Sequence, residues 1–313
     1  MNRIGGLFHT RIPLFSPYFT ISPITIQCLS LPISTSFALF YLALVCFRSN
    51  TKYRKIEGHD YRLCDPESVI DAIKNLVATG LCDIEFVDNV FNSPYDHALA
   101  VCEGLARSRP GARLQSLELN PLFIDGTLLT AMERAGFVSI GITVESASDI
   151  VLDGLQKGFT AKDVYNAAQI IKHHHLPCLW IFMLGGPGES EVTVKETLRF
   201  AEQCIPPKDV AFFNIGIRIY PGTELEHRAR EEGVLSAPPS EMLKPIFYVS
   251  PTLNLNWLTE TMHKALATHM NYINSNTIGL SFLPAMNRLG YKLVGCTNNI
   301  VNYFLMLKGL ITS

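Results

Sequence analysis

From Asp65 onward the chain alternates between stretches with apolar residues at helical spacing and short, nearly continuous apolar runs. "DPESVIDAIKNLVATG" (65–80) opens with an Asp cap and a first-turn proline, places Val69, Ile70, Ile73, Leu76 and Val77 on one face, and stops at Gly80. The pattern predicts an amphipathic helix. "CDIEFVDNVF" (82–91) then reads as a strand. The cycle repeats with a helix over 93–107, strand "LQSLELNP", a helix over 125–135 ending at Gly136, and strand "VSIGITVES". A helix over 160–175, with Thr160 and Asp163 in capping-box spacing, leads to strand "CLWIFMLGG". A helix over 190–204 leads to "VAFFNIGIRIYPGT", read as one strand, and "ELEHRAREEG" closes the series as a helix.

Five strands separated by helices imply a parallel sheet with right-handed crossovers, because parallel neighbours need a long connection. The architecture is α/β: an open doubly wound sheet, or a full or partial barrel. Either places its site at the carboxyl ends of the strands. Asp88 and Asn89, Asn120, Glu145 and Ser146, Gly185 to Glu189, and Arg218 with Tyr220 fall at those ends and are expected to converge on one rim.

The first fifty residues break this pattern. Ile12 to Phe47 contains no charged side chain, and this stretch accounts for most of the positive mean hydropathy. "LSLPISTSFALFYLALVCF" (29–47) is about long enough to cross a bilayer core. Arg48, Lys52, Arg54 and Lys55 follow it, against Arg3 and Arg11 before it, so a span here would leave the main domain in the cytoplasm. Two readings stand: a cytoplasmic protein whose residues 1–50 are unrelated apolar sequence, or a single-pass anchor with membrane contact through residues 12–47. Three segments follow: 1–50, a barrel-like domain over 51–235, and a C-terminal helical extension over 236–313, in which "WLTETMHKALATHMNYI" is amphipathic and "IVNYFLMLKGLI" strongly apolar.

A formal charge of -2 supplies no basic face for a polyphosphate backbone, which argues against nucleic-acid partners and for a small-molecule substrate. The eight cysteines include no C-x-x-C pair, so neither a disulfide framework nor a zinc site is expected. The "HHH" at 173–175 falls at a helix C-terminus, where histidine suits the dipole and consecutive side chains diverge.

"FMLGGPGES" (182–190) runs a strand through glycines into a helix, a form that lets backbone approach a ligand and can offer first-turn amides to an anion. It is neither a Walker A loop nor a G-x-G-x-x-G fingerprint. "IGITVESASDIVLDGLQKGFT", "FMLGGPGESEVTVKETLRFAE" and "GIRIYPGTELEHRAREEGV", in that order and spacing, resemble radical S-adenosylmethionine (SAM) enzymes, particularly the subgroup often fused to a cobalamin-binding domain. "IEGHDYRLCDPESVIDAI" and "IEFVDNVFNSP" resemble the same subgroup, and the likeness runs from about Ile56 to Tyr248, extending to "FLPAMNRLGYKL".

The resemblance implies a partial (β/α)6 TIM-like barrel holding a 4Fe-4S cluster and SAM at its carboxyl rim. An electron from a donor, passed through the cluster, cleaves SAM to a 5'-deoxyadenosyl radical. Carried over by position, Asp88 and Asn89 would meet the methionyl amino group. Glu145 and Ser146 would contact SAM from the fourth strand; Gly185, Gly186, Pro187, Gly188 and Glu189 would shape the adenine and methionine wall; Arg218 and Tyr220 would lie near the last strand's end. The family's cluster needs a C-x3-C-x2-C loop a few residues before Ile56. That window holds Cys46 alone, so no metal-ligand set is assigned, and the fifty residues before the barrel leave no room for a cobalamin domain. A radical enzyme with unconventional ligands, or a non-catalytic barrel kept as a scaffold for SAM or another small molecule, both fit the sequence.

Overall fold

A computed structural model of the chain describes residues 31–33 (backbone only), 63–87, 90–238, 241–242 and 244–274. The sheet-forming strands are β1 (Leu31–Ile33), β2 (Asp83–Phe86), β3 (Arg113–Leu119), β4 (Phe137–Glu145), β5 (Cys178–Leu184), β6 (Val210–Ile215) and, after an antiparallel pair β7 (Ile217–Arg218) and β8 (Phe247–Tyr248), β9 (Tyr272–Asn274). The helices are α1 (Pro66–Ala78), α2 (Tyr95–Ser108), α3 (Gly126–Ala135), α4 (Asp149–Gly154), α5 (Ala161–Lys172), α6 (Glu191–Cys204), α7 (Glu224–Glu231) and α8 (Leu255–Thr268).

Local chemistry sets the helix ends. Asp65 accepts a hydrogen bond from the Ser68 amide at 3.1 Å, Asp125 accepts one from the Leu128 amide at 2.8 Å, and Thr160 and Asp163 close a reciprocal box at the start of α5. Each satisfies amides that a helix start leaves without partners. Gly136, at φ +102°, ends α3 in a left-handed conformation where a side chain is costly.

The large sheet runs β1-β2-β3-β4-β5-β6-β9 with every neighbouring pair parallel. The order follows the sequence without reversal, which distinguishes it from a doubly wound sheet and gives the winding of a partial TIM-like barrel. Alternation sorts the two faces. Ile84, Phe86, Leu114, Ile140, Ile142, Trp180, Phe182 and Phe213 pack against the helices in the main core, each large side chain contributing about 1.5–3 kcal/mol by leaving water. Glu85, Gln115, Ser139, Thr143, Leu179 and Ile181 alternate with them and point to the opposite, luminal face.

Two expectations change. The predicted strand over 210–223 is broken at Gly216, whose φ of +83° turns the chain while its amide donates to the Leu184 carbonyl at 2.7 Å. The residues beyond it leave the sheet and pair with β8, forming a small second core of Val151, Leu155, Ile217, Ile219, Leu225, Ala229 and Tyr248. The stretch expected to be helical from 236 contains α8 but then β9, which takes the place beside β6 in the main sheet.

Within the apolar stretch 12–47, residues 31–33 form β1 and pair with β2; the remainder, with Cys46, lies outside the described residues. No helix among the described residues is long and apolar enough to cross a membrane.

Candidate functional site

Strand β4 ends irregularly. Its register with β5 shifts between Thr143 and Glu145, and Glu145 sits at φ +62°, a conformation costing a non-glycine residue of order 1–3 kcal/mol. Its carboxylate, with only 8% of the residue's surface exposed, meets the Lys157 ammonium at 2.5 Å. Lys157 lies in the turn after α4, and its own side chain is 11% exposed, so the pair is a desolvated one at the rim.

The end of β5 is built around Glu189. Gly185, at φ +100°, and Gly186 both donate their amides to Glu189 Oε2, the second at 2.8 Å. The turn expected to offer amides to an anion therefore holds one already, its own buried side chain. Oε1 of the same carboxyl is buried without a hydrogen-bond partner. Burial, only partly offset by the two amides, pushes Glu189 up to about 7 from an ordinary 4.5. A Cβ on Gly186 would lie 3.1 Å from Val151 and 3.5 Å from Ile217 and Leu155, so this part of the turn is packed on the second core. Gly188 is exposed, while Pro187 is buried.

The other expected rim residues divide. The Ser146 hydroxyl is buried and engaged, 3.0 Å from the Thr197 hydroxyl on α6 and accepting from the Ser148 amide at 3.2 Å. It ties β4 to α6. Asn120 is likewise spent locally: its side chain caps the turn over Pro121–Phe123 by accepting from the Leu122 amide, while its backbone amide donates to Asn92 Oδ1 and its carbonyl accepts from the Asn92 side-chain amide. Arg218 stacks its guanidinium 4.8 Å from the centre of the Tyr220 ring; it lies on β7, in the antiparallel pair after Gly216 and not on a strand of the large sheet. Asp88 and Asn89 lie outside the described residues.

Below the rim a polar ladder lines β2, β3 and β4. Gln115 donates to Glu85 at 3.2 Å and sits 3.4 Å from the Ser139 hydroxyl, and Thr143 donates to Glu118 Oε2 at 3.0 Å. Burial raises both acids, and Glu118 reaches about 7 with Lys157, Glu145 and Glu85 near enough to act on it electrostatically. Neither Lys157 nor Glu118 was among the residues expected from sequence. A glutamate inside a strand buried on both faces is itself unusual, and "LQSLELNP" carried that signal. Lys157 carried none, since its approach to Glu145 depends on the fold of α4.

The described cysteines do not gather. Cys102, Cys178 and Cys204 sit in the helix-side core. Cys82 precedes β2 at its amino end, opposite the rim, while Cys64 precedes α1 with its carbonyl 2.7 Å from His97. No group of three His, Cys, Asp or Glu placed to hold a metal occurs among the described residues. The histidines at 173–175 pack at the end of α5, with His174 3.6 Å and the His175 amide 3.1 Å from Glu133.

A model of the radical SAM superfamily matches residues 46–201. The chain is 26% identical over 151 residues to the anaerobic magnesium-protoporphyrin IX monomethyl ester cyclase of Rubrivivax gelatinosus, covering 47% of this chain and 27% of that one. It is 29% identical over 174 residues to an uncharacterized methyltransferase of Pyrococcus horikoshii, covering 54% and 36%. The match thus spans about a third of the length of these curated relatives.

Among solved structures, the fold matches the radical SAM methyltransferase TsrM of Kitasatospora setae, solved with cobalamin and a 4Fe-4S cluster, at TM-score 0.71 and 20% identity over 90% of this chain and 61% of that one. It also matches the cobalamin-dependent SAM radical enzyme OxsB at TM-score 0.56 and 14% identity, over 90% and 49%. Sequential parallel strands, a glycine turn after β5 and the family match over the βα units that carry them lead to one assignment: the chain belongs to the radical SAM superfamily.

Proposed function

We propose that this chain binds SAM at the carboxyl rim and does not by itself hold the 4Fe-4S cluster through the family's three-cysteine loop. The Glu145–Lys157 pair carries the first half of the reading. It sets a carboxylate and an ammonium side by side at the end of β4, in a strained backbone conformation that packing maintains. Such a pair suits the zwitterionic methionyl end of SAM, with Lys157 toward the carboxylate. Asp88 and Asn89 would meet the amino group, and the Arg218–Tyr220 stack offers a flat face for adenine. The turn from Gly185 to Glu189 acts as a fixed wall, its inner amides engaged by Glu189. The Ser146 hydroxyl, held by Thr197, positions β4 rather than the ligand.

The donor set of the chain does not fit the cluster. Three thiolates must come from one short loop, leaving an iron open to SAM. The closest cysteines in the sequence are 18 positions apart, Cys28 to Cys46, Cys46 to Cys64 and Cys64 to Cys82, and Cys82 lies at the wrong end of its strand.

The test is anaerobic reconstitution with iron and sulfide, followed by metal analysis, SAM calorimetry and assay for 5'-deoxyadenosine under reductant. SAM binding with less than one cluster's worth of iron and no cleavage is the expected result. Full cluster loading with reductant-dependent 5'-deoxyadenosine would establish the competing reading, a radical enzyme using distant cysteines and an external electron donor.

A further inference from the structure

We infer that Thr197, on α6, is the positioning residue of the rim: its buried hydroxyl fixes the left-handed turn at Glu145 and, through Ser148, the turn that carries Lys157. The inference goes beyond the rim reading proposed above and rests on it only for the consequence to SAM.

The backbone amides after Glu145 supply the first observation. Once the chain turns at φ +62°, the next three amides bond outside the large sheet. The Ser146 amide donates back to the Val144 carbonyl at 2.7 Å, the Ala147 amide to the Thr197 hydroxyl at 3.1 Å, and the Ser148 amide to the Ser146 hydroxyl at 3.2 Å. The two hydroxyls lie 3.0 Å apart and share a hydrogen bond. Thr197 is the one member of this relay that comes from another element. Without its oxygen the Ala147 amide would be left buried with no acceptor.

A second observation is the place of Thr197 on α6. The buried stripe of that helix runs through Val194, Thr197, Phe200 and Ala201, none of them exposed. A hydroxyl in such a stripe carries a desolvation cost that valine, with nearly the same outline, would avoid. Its presence is explained by the amide and hydroxyl it serves. Phe200, one turn further, meets the rings of Trp180 and Phe182 edge-on at 5.7 and 6.2 Å, which anchors α6 in the main core and holds Thr197 in place.

The relay controls both partners of the charged pair. Ser148 begins α4: its carbonyl accepts the Val151 and Leu152 amides at 3.1 and 2.9 Å, and the Leu152 carbonyl accepts the Lys157 amide at 3.0 Å. Glu145 thus lies directly before the relay, and Lys157 hangs from the helix that starts after it. A desolvated pair meeting at 2.5 Å tolerates little displacement, and a strained φ persists only where its surroundings fix it. Thr197 does this through the backbone and not by contact with ligand.

Two readouts on the full chain test the inference: the rate of Lys157 acetylation by acetic anhydride, mapped by mass spectrometry, and SAM affinity by calorimetry. Thr197→Val is expected to speed Lys157 labelling and to weaken SAM, each by at least about fivefold, the scale of one lost hydrogen bond. Lys208, paired with Asp209 at the opposite end of the sheet, should label as before. Thr197→Ser keeps the hydroxyl and should stay within about twofold of the native chain on both readouts. In a Glu145→Gln background, Thr197→Val should leave SAM affinity where it is, since the pair is already gone, while still lowering the melting temperature.

Should Thr197→Val not fold, amide exchange on the native chain decides: Ala147 and Ser148 are expected to be protected like β5, and exchange at the rate of an open loop would overturn the inference. Unchanged Lys157 labelling in a folded but destabilised Thr197→Val would also overturn it, leaving Thr197 a packing residue, as would failure of Thr197→Ser to preserve the native values. A labelling change in a chain that does not bind SAM would remove the rim reading alone; SAM binding with no labelling change would remove the positioning role alone.

Discussion

Replacing Glu189 by Gln isolates the energetic cost of a buried carboxyl that pins the rim. In the native protein one carboxyl oxygen accepts two backbone amides and the other has no hydrogen-bond partner, in a residue with no solvent exposure. The folded chain holds this proton up to about 7, against 4.5 for an ordinary glutamate. A carboxyl raised in the folded state contributes stability that is complete below the ordinary value and is lost as pH climbs to the raised one. The gap corresponds to about 3 kcal/mol. Glutamine keeps an acceptor for the two amides and does not ionise, so the variant should escape that loss.

Urea unfolding followed by fluorescence of Trp180, fully buried in the main core, supplies the measurement. Glu189→Gln should be equal to or slightly less stable than the native chain near pH 5, because its amide group then has no partner. By pH 8 the balance should shift toward the variant by about 3 kcal/mol, with unchanged m-values. Stability curves that stay parallel from pH 5 to 8 would show that Glu189 is not the group holding the proton, and the account of the turn would fail with them.

Lys157→Met leaves Glu145 buried and uncompensated, at a cost of about 3–5 kcal/mol, and should weaken SAM at least about tenfold; adding Glu145→Gln should restore the stability, read by thermal melting, but not the affinity. Asp209→Ala removes the acceptor of the Cys178 amide at 3.0 Å, the Trp180 indole at 3.2 Å and the Lys208 ammonium at 3.0 Å. Because this network lies at the amino ends of β5 and β6, it should cost about 2–4 kcal/mol in urea unfolding while SAM calorimetry on the folded fraction stays within twofold. Gly141→Ala would set a Cβ 2.7 Å from the Leu117 α-carbon, so about 1–3 kcal/mol of destabilisation and faster amide exchange along β3 are expected.

Where one short-range rule decided the outcome, the sequence was readable. The caps at Asp65 and Thr160 place two helix starts to within a residue, because a cap acts over three positions. Gly216 reads as the interior of a strand, since a glycine among apolar residues looks the same whether its φ is negative or positive; only the hairpin with β8 reveals the break. Strand β9 was hidden for a related reason. "YIN" follows an amphipathic helix and becomes a strand only because β6 offers an edge. The rim followed from strand order, which locates Glu145 and the Gly185 turn, while Lys157 entered through a fold of α4 that spacing does not encode. The glycine turn was legible as an anion holder, but the sequence did not say that the anion was Glu189, four residues further along.

The order of the strands in the sheet is also the order in which a ribosome would release them. Each strand from β2 to β6 finds its neighbour one helix away, or two between β4 and β5, so every addition closes a short loop at modest entropic cost. Only β9 must wait, because its place beside β6 stays empty until the hairpin and α8 have been made. A nascent chain ending near Ile215 would already possess most of its sheet, exposed along one edge until the last three-residue strand arrives to seal it.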